Sequence, residues 1–165
     1  LEAIVYNGNI SDAESDNAIC ALLLADKAAG ISTYSGNGTS KTITDDQGIA
    51  EVVYYTRPSG TSSGLITLTV KQRAGYTVTA QQVQDAIATY ATGRDYAGTA
   101  VTGATAHWTP GATAYASAIV GAVFEYVPGV ANVTAVVITN ANVGPDLVPT
   151  LRQVVTLGTI TPTIT

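Results

Sequence analysis

The chain has 165 residues, 46% of them hydrophobic and only 12% charged, with 12 acids against 7 bases and a net charge of −5. This length suits one domain or two small ones, and a compact fold of this size buries about 68–70% of its unfolded surface, ample for a core. The acidic balance and the absence of any Lys/Arg cluster beyond the pair Lys71 and Arg73 argue against a phosphate-tracking nucleic-acid surface.

The charged share is about half the usual one, and Thr, Ala, Gly and Val fill the gap. Such a composition implies abundant strand and a surface that is polar without being ionic. It fits a component packed among copies of itself and a secreted β domain equally well. The lone Cys20 lies in an apolar helical run and has no intrachain disulfide partner. That argues against a disulfide-stapled scaffold and towards a reducing compartment during folding. The sequence holds no methionine, so Leu1 is not expected to be a native start, and the chain is expected to be a fragment, a trimmed core or a processed product. No apolar stretch reaches the roughly 18 residues of a membrane span, and no basic-then-apolar signal segment opens the chain.

Along the chain, Glu2–Tyr6 alternates weakly and ends at Asn7-Gly8, a strand and a turn. Ser11 or Asp12 is placed to cap a helix, and Asp12, Glu14 and Asp16 crowd its first turns, where carboxylates favour the positive end of the dipole. Ile19, Leu22 and Leu23 give that helix an apolar face with Cys20 and Leu24 beside it, and Lys27 then Gly30 mark its end. Thr39–Thr44 and Ile49–Thr56 form a predicted hairpin about Asp45-Asp46-Gln47-Gly48, closed by Arg57-Pro58. Residues 1–58 thus form a predicted β-α-β-hairpin unit, expected to be the C-terminal part of a larger domain because one helix and about three strands make a marginal core. The small residues at 59–64 have linker composition.

In residues 65–165, Leu65–Gln72 alternates, with Leu65, Thr67 and Thr69 on one face and Ile66, Leu68 and Val70 on the other. Thr79 and Gln82 have capping-box spacing, Val83, Ala86, Ile87 and Tyr90 follow at helical spacing, and Gly93 closes the helix. A short strand is expected over 99–106. Ala114–Val127 is a predicted second helix with Tyr115, Ile119, Ala122, Val123 and Tyr126 on one face, stopped by Pro128-Gly129. Asn132–Thr139 reads as a strand, Asn140–Pro149 as a loop, and Gln153–Thr165 as one or two final strands. The expected order is β-α-β-α-β-β. The fold class is α+β, two small units that each mix antiparallel strands with one or two helices packed on a sheet face.

Four pieces of the first unit recur in order in one known family: the acidic helix start, Lys27-Ala-Ala-Gly-Ile-Ser-Thr-Tyr34, Asp45-Asp46-Gln47-Gly48 and Arg57-Pro58. Gly98-Thr-Ala-Val101, Val127-Pro128-Gly129-Val130 and Leu157-Gly158-Thr159-Ile160 extend the pattern more loosely. In these features the chain resembles the C-terminal region of phage baseplate J-like proteins, the wedge components of contractile tails. The resemblance implies a structural virion protein whose partners are other baseplate subunits and further copies of itself around a six-fold tail. It implies a location in the tail baseplate, and in the bacterial host cytoplasm before assembly.

No motif for chemistry is complete. His107, the only histidine, neighbours the only tryptophan, Trp108, but no G-x-S-x-G elbow accompanies it and Cys20 lies in the other unit. The pair reads as packing before Pro110. Asp12-x-Glu14-x-Asp16 fails the calcium-loop pattern at Asn17 and Leu23, and dipole-complementing acids explain it. Gly36–Thr42 lacks the Gly before Lys41 that a phosphate loop needs, and it precedes a strand. Asn9, Asn37 and Asn132 head glycosylation sequons of the kind a Thr-rich chain produces by chance. Nine tyrosines against one phenylalanine suit strand surfaces and protein contacts. The expectation is therefore a protein without catalytic, cofactor or metal residues and without a nucleic-acid partner, monomeric or weakly associating in isolation. The alternative is an adhesin-like binding domain of a bacterial surface protein.

Overall fold

In the computed structural model the protein is described over residues 20–25, 39–44, 47–55 and 58–165. The chain separates into two compact units, Leu1–Ser59 and Gly60–Thr165. The strand over 2–6, the acids at 12, 14 and 16, and the segments around Lys27, Gly30, Asp45 and Arg57 lie outside the described residues.

In the first unit residues 20–25 are helical (α1), and β1 (Thr39–Thr44) pairs antiparallel with β2 (Ala50–Tyr55) from Thr39↔Tyr55 to Thr44↔Ala50. This is the expected hairpin. Cys20, Val53 and Tyr55 are buried together, with Leu23, Leu24 and Ile43 packed on them. Leu22, expected on the buried face, is instead 64% exposed. The buried stripe passes through Cys20, Leu23 and Leu24, which share one side of a 3.6-residue turn.

The second unit is α+β. β4 (Leu65–Gln72) is the central strand of a three-stranded sheet, with β5 (Val130–Ile138) antiparallel on one side and β7 (Thr159–Ile164) parallel on the other. Helices α2 (Ala80–Thr92) and α3 (Ala116–Tyr126) pack on each other and against β7 and β5 respectively. Beneath them Ile66, Leu68 and Val70 of β4 meet Val83, Ile87, Ile119 and Val123, each no more than 2% exposed. The alternation of β4 and the inward faces of both helices are as the sequence predicts.

Helix α2 begins with the predicted capping box. The Gln82 N–H donates to Thr79 Oγ1 at 3.2 Å, and the Thr79 N–H donates to Gln82 Oε1 at 2.9 Å. Helix α3 differs from its prediction at both ends: Tyr115 and Tyr126 are exposed, and the buried stripe runs Ala116, Ile119, Val123, Val127. The two tyrosines flank that stripe, where the ring packs and the hydroxyl stays wet.

Two further expectations are corrected. Residues 99–106 form no strand; one isolated bridge, Arg94↔Ala100, touches the segment. Its backbone bonds are local, Val101 N–H to Gly93 O at 3.0 Å and Ala104 N–H to Val101 O at 3.1 Å, so the chain turns where a strand would extend. The order within this unit therefore has two helices in succession, not β-α-β-α-β-β. Residues 59–64, expected as a linker, supply β3 (Ser59–Ser62), which pairs with β6 (Gln153–Thr156). Small residues suit that strand because two backbones approach closely beyond it. The Ser63 N–H donates to Thr156 O at 3.0 Å, the Gly158 N–H donates to Ser63 Oγ at 2.8 Å, and a Cβ at position 158 would overlap the Gly64 carbonyl oxygen.

The pairing of β5 with β4 slips where three steps on β5, Val137 to Thr134, face two on β4, Thr67 to Thr69. Ala135 sits in this bulge at φ 52°, left-handed for a residue with a Cβ.

Two outcomes are expected. Gly158→Ala should destabilise by at least the upper end of about 1–3 kcal/mol, because the obstacle is backbone that cannot rotate aside; urea denaturation reads this as a lower midpoint. Ala135→Gly should stabilise. It relieves about 1–2 kcal/mol of left-handed strain against about 0.4–1 kcal/mol of added unfolded-state entropy, a net gain of roughly 0.5–1 kcal/mol in the same assay.

Candidate functional site

His107 and Trp108 lie in the loop between α2 and α3, and their main-chain bonds account for their place. The last turn of a helix leaves its carbonyls without intrahelical partners. Here the Gly93 N–H donates to Thr89 O at 2.8 Å, the His107 N–H to Tyr90 O at 3.1 Å, and the Trp108 N–H to Ala91 O at 3.0 Å. The loop thus doubles back to finish α2. The His107 ring stacks on Tyr90 with centroids 4.4 Å apart and planes 12° from parallel. Burial pushes the Tyr90 phenol above its ordinary pKa, so it stays neutral and serves as a stacking surface. Trp108 is 2% exposed in the core while His107 is exposed. Cys20 belongs to the other compact unit, so the sequence candidates for nucleophile and base are not brought into one constellation within either unit.

Among the described residues no group of three or more His, Cys, Asp and Glu gathers where a metal ion would sit. The buried polar side chains among them are Ser63 and Thr89. Asn9 and Asn37 fall outside the described residues; Asn132 is exposed on β5, and its Oδ1 accepts the Val133 N–H at 2.9 Å. Residues 39–42 of the phosphate-loop lookalike belong to β1, and residues 36–38 lie outside the described residues.

Asp146 has a role that sequence reasoning missed. Tyr115 gives α3 no side-chain cap, and the Ala116 N–H instead donates to Asp146 Oδ1 at 2.8 Å. A carboxylate there also suits the positive end of the helix dipole. Capping patterns are sought within a few residues, and this cap arrives 30 positions later.

The remaining candidate is a surface. The sheet face turned away from the helices carries Leu65, Thr67 and Thr69 of β4, flanked by Thr159, Thr161 and Thr163 of β7 and by Thr134 and Val137 of β5. Thr163, Thr69 and Thr134 align across the strands, as do Thr161, Thr67 and Val137. Leu65 is 40% and Val137 52% exposed. Methyl and hydroxyl groups share this face with no charge until Lys71, so it offers apolar contact with local hydrogen bonding and no long-range steering. The Thr-x-Thr alternation at 67–69 and 159–165 was the signal for it.

No protein-family model matches the chain, and no curated protein matches it either.

Replacing Asp146 tests the remote cap. Asp146→Ala should cost about 1 kcal/mol, within the roughly 0.5–2 kcal/mol of helix caps, and Asp146→Asn less. Thermal unfolding followed by circular dichroism reads the difference; equal loss in both variants would assign the effect to the carboxylate's charge.

Proposed function

We propose that this chain is a structural component of a phage or prophage tail baseplate, a wedge protein of the J-like type, acting through subunit contacts and carrying out no catalysis. The observation that carries this reading is the ordered set of features across residues 11–58, which resembles that family in sequence. Gln47 and Gly48 of that set lie between the antiparallel strands β1 and β2, and a hairpin there is what the resemblance implies. The uncharged Thr-rich face of the second unit supports the reading further, as a surface suited to neighbouring subunits. The mechanism is geometric: rigid α+β units hold such faces at fixed positions in the tail. The protein resides in the host cytoplasm before assembly and in the virion baseplate after it. The runner-up, an adhesin-like domain of a bacterial surface protein, would use the same Thr-rich strands against a host surface.

The test is genetic and physical. Disrupting the gene in the phage or prophage that carries it should leave particles without complete baseplates by electron microscopy, with infectivity restored by the gene in trans. Normal baseplates would sink the wedge reading, and binding of the chain to host cells would favour the adhesin. In sedimentation velocity the 165-residue chain should be monomeric or weakly associating at micromolar concentration. Contacts between modules of this kind span only about 600–1,500 Å², and association entropy offsets much of what such an area contributes.

A further inference from the structure

Among the described residues the three-stranded sheet of the second unit ends at β7, which pairs there with β4 alone. The register fixes which backbone groups of β7 turn outward. Thr165 donates its N–H to Val70 O and accepts the Gln72 N–H, both at 2.9 Å, so its groups face β4. By the two-residue alternation, Thr159, Thr161 and Thr163 also face β4, while Ile160, Pro162 and Ile164 direct their N–H and C=O groups away from it. Such an edge is ordinarily a template for another strand.

Here the outward groups are occupied or absent. The Ile160 N–H donates to Tyr96 Oη at 3.3 Å, and Ile160 O accepts from Gln84 Nε2 at 2.8 Å. The next outward residue, Pro162, has no N–H to offer. Two of the three outward positions therefore present no available donor, and the Ile160 acceptor is engaged as well. Helix α2 holds both side chains in place. Gln84 lies on it, and the neighbouring Asp85 accepts the Tyr96 N–H at 3.0 Å, its Oδ1 also taking the Gln81 side-chain amide at 2.8 Å.

We propose that Gln84, Tyr96 and Pro162 together guard the β7 edge, so that no strand from a second copy of this chain or from another protein adds to it. Contacts made by this side of the unit then use side chains, not main-chain pairing. This holds whether or not the baseplate reading does.

Hydrogen exchange followed by NMR on the 165-residue protein tests the guard directly. The Ile160 amide should exchange slowly despite its place on an outer strand. Tyr96→Phe, which removes only the accepting hydroxyl, should speed it about tenfold or more while the amides of Thr161 and Thr163 keep their rates. An unchanged Ile160 rate would overturn the proposal. A second arm combines Gln84→Met, Tyr96→Phe and Pro162→Val. While folded by circular dichroism, this variant should form dimers or larger species at tens of micromolar in sedimentation velocity. Ile87→Ala, with a weakened core and an intact edge, should remain monomeric. A folded, monomeric triple variant would refute the guard, as would equal association of Ile87→Ala, which would trace the effect to core exposure. Should the triple variant lose its fold, the exchange rates alone decide.

Discussion

Strand β4 is the constraint on which the second unit depends. It is flanked on both sides, and its inner row of Ile66, Leu68 and Val70 lies under both helices. Side chains of a strand alternate with a period of two, so a slip of one residue would carry Thr67, Thr69 and Lys71 beneath the helices and expel the apolar row. The hydrophobic cost of that exchange, about 1.5–3 kcal/mol for each large side chain moved, fixes the register against all smaller preferences. Its neighbours are then adjusted to it. β7 is set by the backbone approach of Gly158 to Gly64, and β5 absorbs its surplus residues in bulges, one of them holding Ala135 in a left-handed conformation.

The helices are completed from a distance. The carbonyls that end α2 are taken by the main chain of His107 and Trp108, and the first amide of α3 is taken by Asp146. Both segments are loops by secondary structure, yet each satisfies buried or half-buried backbone groups whose loss costs about as much as a hydrogen bond. This explains why the only His–Trp pair of the chain, which invites a catalytic reading, is a structural strap. Its main-chain bonds determine where it sits, and Trp108 fills the core that the strap closes.

What could be read from the sequence was what local spacing encodes. The alternation of Leu65–Gln72, the Thr79–Gln82 capping box and the hairpin strands Thr39–Thr44 and Ala50–Tyr55 all depend on residues within a few positions of each other. What could not be read depends on partners remote in the chain. Residues 59–62 look like a linker until β6 arrives some 90 residues later to pair with them. Residues 99–106 have strand-like composition, but no described strand pairs with them, and the amides of Val101 and Ala104 are taken by local carbonyls. The buried face of α3 departs from its periodicity at the ends because tyrosine is apolar in its ring yet sits at the rim with its hydroxyl in water. The Thr-rich outer face was partly legible, since Leu65, Thr67 and Thr69 were placed together; its extension across β7 and β5 needed the register.

Two of the three motifs that carry the looser part of the family resemblance hold architectural positions, while Gly98-Thr-Ala-Val101 lies at the surface. Gly129, in Val127-Pro128-Gly129-Val130, has φ 84° and lies against the Tyr76 ring, where a Cβ would come within 2.5 Å of it. Gly158, in Leu157-Gly158-Thr159-Ile160, lies at the backbone contact with Gly64. Val127 and Val130 are core. A fold that needs these residues will keep them whatever surface it displays, so these two motifs speak for how the second unit is built. The outer face of the sheet is free to vary without disturbing β4, because none of its side chains supports a helix. The β7 edge is not: Gln84 and Tyr96 tie its main chain to α2 and the loop after it, and a change that opened the edge would also loosen the attachment of β7 to the helical layer. Substitution on the Thr-rich face therefore changes what the sheet presents while leaving the fold intact, whereas substitution at Gln84 or Tyr96 alters how β7 is held.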